Sequence, residues 1–191
     1  MPLSLAAVAD EAADCPRCRL AESRTQVVFG MGSPSADLMF IGEGPGAEED
    51  RQGLPFVGRS GQLLDRLMLE EMGLTRDHCY IANVVKCRPP GNRDPMPDEI
   101  TACRPWLESQ LDLIAPKVIV TLGNFSSKLL LETKVGITKL RGRSYEWRPG
   151  VHLVPTLHPA AVLRGGGGPM AQVRADLVRA KLLLTQGADA C

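Results

Sequence analysis

The chain has 191 residues, with 22 basic and 22 acidic side chains and so no formal net charge. Hydrophobic residues make up 44% of it and charged residues 23%, the proportions of a water-soluble folded chain. These values exclude a general nucleic-acid coat protein, and no run approaches the roughly 18 apolar residues that span a bilayer. One domain covering residues 1–191 is expected. MPLSLAAVAD lacks the basic start of a secretion signal, so a cytoplasmic monomer with no membrane contact is expected. The charge is uneven. Between Val120 and Leu184 there are ten Lys or Arg against three Asp or Glu, which leaves that segment strongly basic. A basic face of limited extent suits a phosphate backbone, although solvated helices account for such charges equally well.

In chain order, Leu3 to Asp14 has helical spacing, with Leu5, Val8 and Ala12 near one face. CPRC then makes a tight turn. DLMFIGE at 37–43, YIANVV at 80–85 and KVIVTLG at 117–123 are short, continuous apolar runs, the mark of parallel strands covered on both faces. HLVPTLH at 152–158 is a fourth strand, in which Pro155 suggests an edge or a bulge. Helices separate them. SGQLLDRLMLEEMG carries a stripe from Leu63 to Met72, with Ser60 as a candidate cap and Gly73 as a stop. DEITACRPWLESQLDLIA contains Pro105, which implies a kink or a break. NFSSKLLLE and a last helix from Gln172 to about Thr185 complete the set, and RGGGG at 164–168 is expected to be a mobile loop. Alternating strands and helices give a three-layer αβα sandwich around a mainly parallel four-stranded sheet. Ligands in such folds sit beyond the carboxyl ends of the strands.

Cys15 and Cys18 form C-x2-C, and Cys87 and Cys103 follow at wide, unequal spacing. Four thiolates from three segments enclose either a four-iron cluster or a tetrahedral zinc. The spacing favours iron–sulfur over zinc, and buried free thiols are the plain alternative. Cys79 and Cys191 have no evident partner.

GEGPGAEED, from Gly42, has the glycines of a phosphate loop but not its Lys-Ser/Thr, and its carboxylates repel phosphate. The glycines instead let the backbone approach a flat, neutral ligand. Glu43, at a strand end, is placed to stabilise positive charge or to orient a water. Glu48, Glu49 and Asp50 also suit a helix N-terminus.

With GLPFVGRSGQLL, NVVKCRPP, HPAAVLR and the four cysteines, this loop makes the chain resemble the family-4 type uracil-DNA glycosylases of bacteria and archaea, from about Cys15 to Arg179. The resemblance implies the glycosylase α/β fold, a structural [4Fe–4S] cluster on Cys15, Cys18, Cys87 and Cys103, and release of uracil from single- or double-stranded DNA to leave an abasic site. Glu43 matches the acid of the family's first motif. His158 matches the histidine of its second, a donor to uracil O2 as charge collects on the departing base. Such a donor is worth about 2.7–4 kcal/mol in other enzymes, provided its other ring nitrogen is held by the backbone. Phe56 matches the aromatic that stacks on the flipped base. Asn83 matches the amide that reads it, and an Asn in an apolar strand is costly without a partner. Gly44 would offer a backbone N–H, and Glu49 would stand near uracil C5 and reject thymine. Leu163 or Val162 would wedge into the duplex, with Arg164 on a phosphate. Arg88 and Lys86 would meet phosphate or offset the charge of the cluster. Gly165 to Gly168 replace the Asn-Pro that often follows in the family, which unsettles the register of the phosphate contacts. A catalytically silent DNA-binding module and an enzyme of free nucleosides are the rival readings. The first predicts DNA affinity without base release, and the second has no need of a basic C-terminal half.

Overall fold

The computed structural model describes residues 4–186. Leu3, the expected start of the first helix, and Cys191 lie outside them. The elements in chain order are α1 (Leu5–Ala13), β1 (Met31–Gly32), β2 (Leu38–Gly42), α2 (Ala47–Gln52), α3 (Arg59–Leu67), β3 (Tyr80–Asn83), α4 (Pro97–Ile114), β4 (Val118–Leu122), α5 (Asn124–Leu130), α6 (Ile137–Leu140), β5 (Tyr145–Arg148), β6 (Val151–Thr156), α7 (Pro159–Gly165) and α8 (Gly167–Gln186). No helix among the described residues is long and apolar enough to cross a membrane.

Apolar β2 is buried at every position, and its side chains alternate between two cores. Met39 and Ile41 join Val8, Ala12, Trp106, Leu107 and Leu111 beneath α1 and α4. Leu38 and Phe40 join Leu63, Leu64, Leu67, Val173 and Leu177 beneath α3 and α8. This gives the expected three layers. The four expected strands form a parallel core in the order β3-β2-β4-β6.

The sheet has six strands rather than four, because β1 pairs antiparallel with β3 and β5 with β6 at the two edges. Neither added strand has an apolar run: β1 is two residues long, and YEWR alternates between half-buried and exposed positions. Pro155 therefore lies in an interior strand. It is tolerated because β5 pairs with β6 only as far as Leu153, and the ladder irregularity lies on β5, between Glu146 and Arg148.

Other expectations are corrected. α4 runs unbroken through Pro105. α3 is capped by Gly58 rather than Ser60, and continues into a π turn, Met68–Met72, that ends on Gly73. The glycine run is not a loop. Gly165 ends α7, Gly166 turns the chain at φ +70°, and Gly167 begins α8. Pro169 sits in the first turn of α8, where its missing N–H costs no helical bond.

A buried carboxylate that sequence patterning does not reveal fixes the end of β6. Asp176 of α8 accepts from Thr156 Oγ1 at 2.8 Å, from Arg141 Nε and Nη2 at 2.9 Å each, and from the Gly142 N–H at 3.1 Å. Two residues after Thr156 the chain reaches His158.

Candidate active site

The chain passes from β2 to β3 on one side and then crosses to β4 on the other, so the connections diverge between β2 and β4. Such a switch point opens a crevice at the carboxyl ends of the strands. Glu43 follows β2, Asn83 ends β3, Gly123 follows β4, and His158 lies two residues beyond β6. All four leave the same rim.

Gly42 and Asn83 are register partners. A Cβ on Gly42 would collide with Asn83 Oδ1 and approach Phe56 Cζ to 2.7 Å, so glycine is what lets amide and ring share this space. Asn83 is 1% exposed, and its Oδ1 makes no hydrogen bond among the described residues. Leaving a buried acceptor unpaired costs about 1–3 kcal/mol. The ladder continues past the strand ends: the Val84 N–H donates to Gly42 O at 3.0 Å and the Val85 N–H to Glu43 O at 3.1 Å. Gly44 packs against Val85, whose Cγ2 a Cβ would meet at 2.8 Å.

Phe56 is buried yet has φ +52°, a strained region for a bulky side chain that costs about 1–3 kcal/mol. Its surroundings hold it there. Arg76 is paired with Asp65 at 2.7 Å and donates to Pro55 O at 2.8 Å and to Phe56 O. Glu49 staples the loop from the other side, accepting from the Gly46 N–H at 3.1 Å and from the Val57 and Gly58 N–H groups at 2.9 Å each. Glu49 thus organises the loop itself, a task the sequence did not suggest. Arg76 and Asp65 were also missed, since an Arg on a turn and an Asp on a helix read as surface residues.

The Phe56 and His158 ring centroids are 5.8 Å apart. His158 caps α7, and its Nδ1 accepts from the Ala160 N–H at 3.1 Å, which leaves the proton on Nε2. This is the backbone partner the sequence reading required. Gly123, at φ +100°, supports the ring from behind, because a Cβ there would stand 3.0 Å from His158 Cβ. Burial, aided by the Arg164 charge and opposed by Glu49, lowers the His158 pKa to about 4. The imidazole is therefore neutral at physiological pH.

Glu43 moves the other way. Burial first, then the Asp94 carboxylate and a hydrogen bond with it, raise its pKa above the ordinary carboxylate value. Asp94 lies in the irregular stretch GNRDP, which gave no periodic signal. On α7, Val162 is 1% exposed and packs inward, whereas Leu163 is 44% exposed and Arg164 beside it is also exposed. Of the two candidate wedges, only Leu163 faces out.

The four cysteines line a single cavity with Arg17, Arg24, Lys86 and Trp106. The Trp106 indole N–H donates to Cys15 Sγ at 3.3 Å, the Lys86 backbone N–H to Cys103 Sγ at 3.2 Å, and Arg24 Nη1 to Cys87 Sγ at 3.5 Å. Arg24 also holds Cys15 O at 2.6 Å. Burial pushes the Cys87 thiol up to about 11 and raises that of Cys103, and the N–H donors and cations around them act against it, as anionic sulfur ligands require. Among the described residues, no three Cys, His, Asp or Glu form a group that could hold a single metal ion. Cys79 stands apart, its thiol pushed up to about 12 mainly by burial. Lys86 is 1% exposed and lines the cysteine cavity, so of its two expected places the surface contact with phosphate is closed to it and the one beside the cysteines is the one it occupies. Arg88 Nε is bonded to Asn92 Oδ1 at 2.7 Å.

The His158 environment has a direct spectroscopic consequence. Nitrogen-15 NMR of labelled protein should show Nε2 protonated and Nδ1 bare at pH 7, with a titration midpoint near 4. An unfolded chain takes up this proton from about 6.5 downward and the folded chain does not, so this group lowers stability as pH falls from 6.5 towards 4. A midpoint near 6.5 would mean that the ring is solvated.

The uracil DNA glycosylase superfamily model matches residues 29–179. The type-4 uracil-DNA glycosylase of Sulfurisphaera tokodaii is 50% identical over 168 residues, covering 84% of this chain and 76% of its own. That of Thermotoga maritima is 44% identical over 176 residues, covering 91% of both. That of Saccharolobus solfataricus is 46% identical over 163 residues, covering 82% of this chain and 76% of its own. With 151 consecutive positions matched and the elements of the rim inside them, the chain belongs to the uracil DNA glycosylase superfamily, within its type-4 family.

Proposed function

We propose that the chain acts as one domain that removes uracil from DNA by hydrolysis, leaving an abasic site for base excision repair. The observation that carries this reading is the buried, unpaired Oδ1 of Asn83 facing Phe56 across Gly42. An acceptor held there is complementary to the N3–H of uracil. Cytosine presents a lone pair at the same position and would leave both groups unsatisfied, a mismatch that supports discrimination of 10⁴ or more in sites of this kind.

Extrusion of the deoxyuridine carries its base onto Phe56, with the Asn83 amide along its edge and the Gly44 N–H nearby. As the bond from C1′ to N1 breaks, its electron pair passes to the base. The His158 Nε2–H donates to O2, where that charge collects. A neutral imidazole suffices, because hydrogen bonding rather than proton loss does the work. Positive charge grows on the sugar, and Glu43 stabilises it and orients the water whose oxygen bonds to C1′. The proton of that water leaves through the carboxylate. Glu49, by holding the loop at Gly46, Val57 and Gly58, sets the wall that the C5 methyl of thymine would strike. Leu163 fills the gap left in the duplex and Arg164 meets a phosphate. Lys86, beside Asn83, has its Nζ in two hydrogen bonds, which suits a hydrolase with no Schiff-base step.

The cysteine cradle fits a [4Fe–4S] cluster by its donor set, by the N–H groups aimed at three of its sulfurs, and by its placement between α1 and α4. Cys15, Cys18, Cys87 and Cys103 would hold it. When bound, it would supply a cross-link rather than chemistry, since Glu43, Phe56 and His158 lie on other loops and only Asn83 and Asp94 flank Cys87. Purified protein should carry about four irons and four acid-labile sulfides per chain. Recovery of one zinc and no sulfide would overturn this assignment.

The activity is tested with a uracil-containing oligonucleotide, treated with alkali after incubation. Cleavage at uracil alone, absent from the thymine control, is expected. His158→Ala should lower the single-turnover rate by about 10²–10³. Intact DNA with undiminished DNA binding would sink the reading in favour of a silent module. Asp94→Asn removes one of the causes that raise Glu43, so the acid limb of the pH–rate profile should move to lower pH. An unmoved limb would separate Asp94 from the chemistry.

A further inference from the structure

Lys86 lies between the rim and the cysteine cradle. Its side chain is enclosed at 1% exposure, and Nζ donates to the main-chain oxygen of Asn83 at 2.7 Å and to Gln110 Oε1 at 2.5 Å. Gln110 is itself buried and fixed, with Nε2 donating to Phe29 O at 2.7 Å and to Tyr80 Oη at 3.3 Å. At its other end, the Lys86 backbone N–H holds Cys103 Sγ at 3.2 Å. Among the described residues, no carboxylate pairs with this ammonium. Burying an ammonium costs several kcal/mol, which the anionic sulfurs proposed for the cradle beside it would offset, whereas a leucine or methionine would fill the volume without that cost. The two acceptors that Nζ holds point to a use beyond that offset.

Asn83 is the last residue of β3, and the direction of its amide follows from its main-chain setting. The next two N–H groups are tied to Gly42 and Glu43, but the Asn83 carbonyl points to Lys86. The side chain of residue 86 thus closes a turn onto residue 83, while its main chain is pinned to a cysteine of α4. Cys103 of α4 and the carbonyl of Asn83 are thereby joined through one residue.

We propose that Lys86 is a positioning residue, which fixes the main chain at Asn83 so that the amide faces the extruded base and which ties that amide mechanically to the cysteine cradle. This rests on the reading of Asn83 as the base-reading group. A double-mutant cycle tests it. Single-turnover uracil excision is compared for the parent, Lys86→Met, Asn83→Ala and the double variant, alongside affinity for abasic DNA and visible absorbance per chain.

If Lys86 acts through Asn83, Lys86→Met loses at least tenfold in rate and keeps its abasic-DNA affinity within twofold. The double variant is then no slower than Asn83→Ala alone. Should Asn83→Ala be slow and the two losses multiply, Lys86 acts elsewhere and the inference falls while the base-reading role survives. An undiminished rate for Asn83→Ala removes that role and the inference with it. A fully active Lys86→Met also ends the inference. If Lys86→Met does not fold, Gln110→Met carries the same cycle, because it removes one acceptor of the ammonium and leaves the lysine in place.

Discussion

A strand covered on both faces must satisfy its polar groups or bear the cost of leaving them unpaired, and β3 ends on a residue that does both. The Asn83 carbonyl is met by Lys86, while its Oδ1 is left without a partner among the described residues. Much of the rim can be understood as the means of keeping that second atom both buried and open. Gly42 withholds a side chain, Phe56 is held in a strained conformation above it, and Arg76 and Glu49 grip the loop that carries the ring. Strain and desolvation together amount to a few kcal/mol, a large part of the margin of a chain this size. The two well-filled cores on either side of the sheet are what make such a site sustainable.

Burial acts on the two titrating side chains of the rim in opposite senses. It keeps a proton off His158 and holds one longer on Glu43, since in each case the charged form is the one that loses water. One environment therefore leaves the imidazole a neutral donor, and leaves the carboxylate sensitive to its neighbour Asp94. No ion pair between them is required.

The parallel strands were legible because buried strands leave unbroken apolar runs, as LMFIG does. The edge strands were not, because YEWR faces solvent at alternate positions and Met31–Gly32 is too short to carry a pattern. The glycine run misled for a related reason. Composition suggests freedom, but Gly166 alone makes the turn while α7 and α8 continue on either side. In the rim, Glu43, Asn83 and His158 stood out as polar residues at the ends of apolar strands. Arg76, Asp65, Arg24, Trp106 and Gln110 did not, since each works on a partner outside its own element that only the tertiary fold supplies. Asp176 belongs with them. The resemblance carried the roles, and the spacing carried only their placement.

The cysteine cradle draws two sulfurs from the first 18 residues and two from beyond β3, with 68 residues between Cys18 and Cys87. A centre bound across them is a staple on the unfolded ensemble, and closing a loop of that size removes chain entropy worth about 4 kcal/mol. During synthesis the staple cannot shut until Cys103 has left the ribosome. The amino-terminal helix, made first, would then wait for the 85 residues that follow Cys18 up to Cys103 before it is fastened.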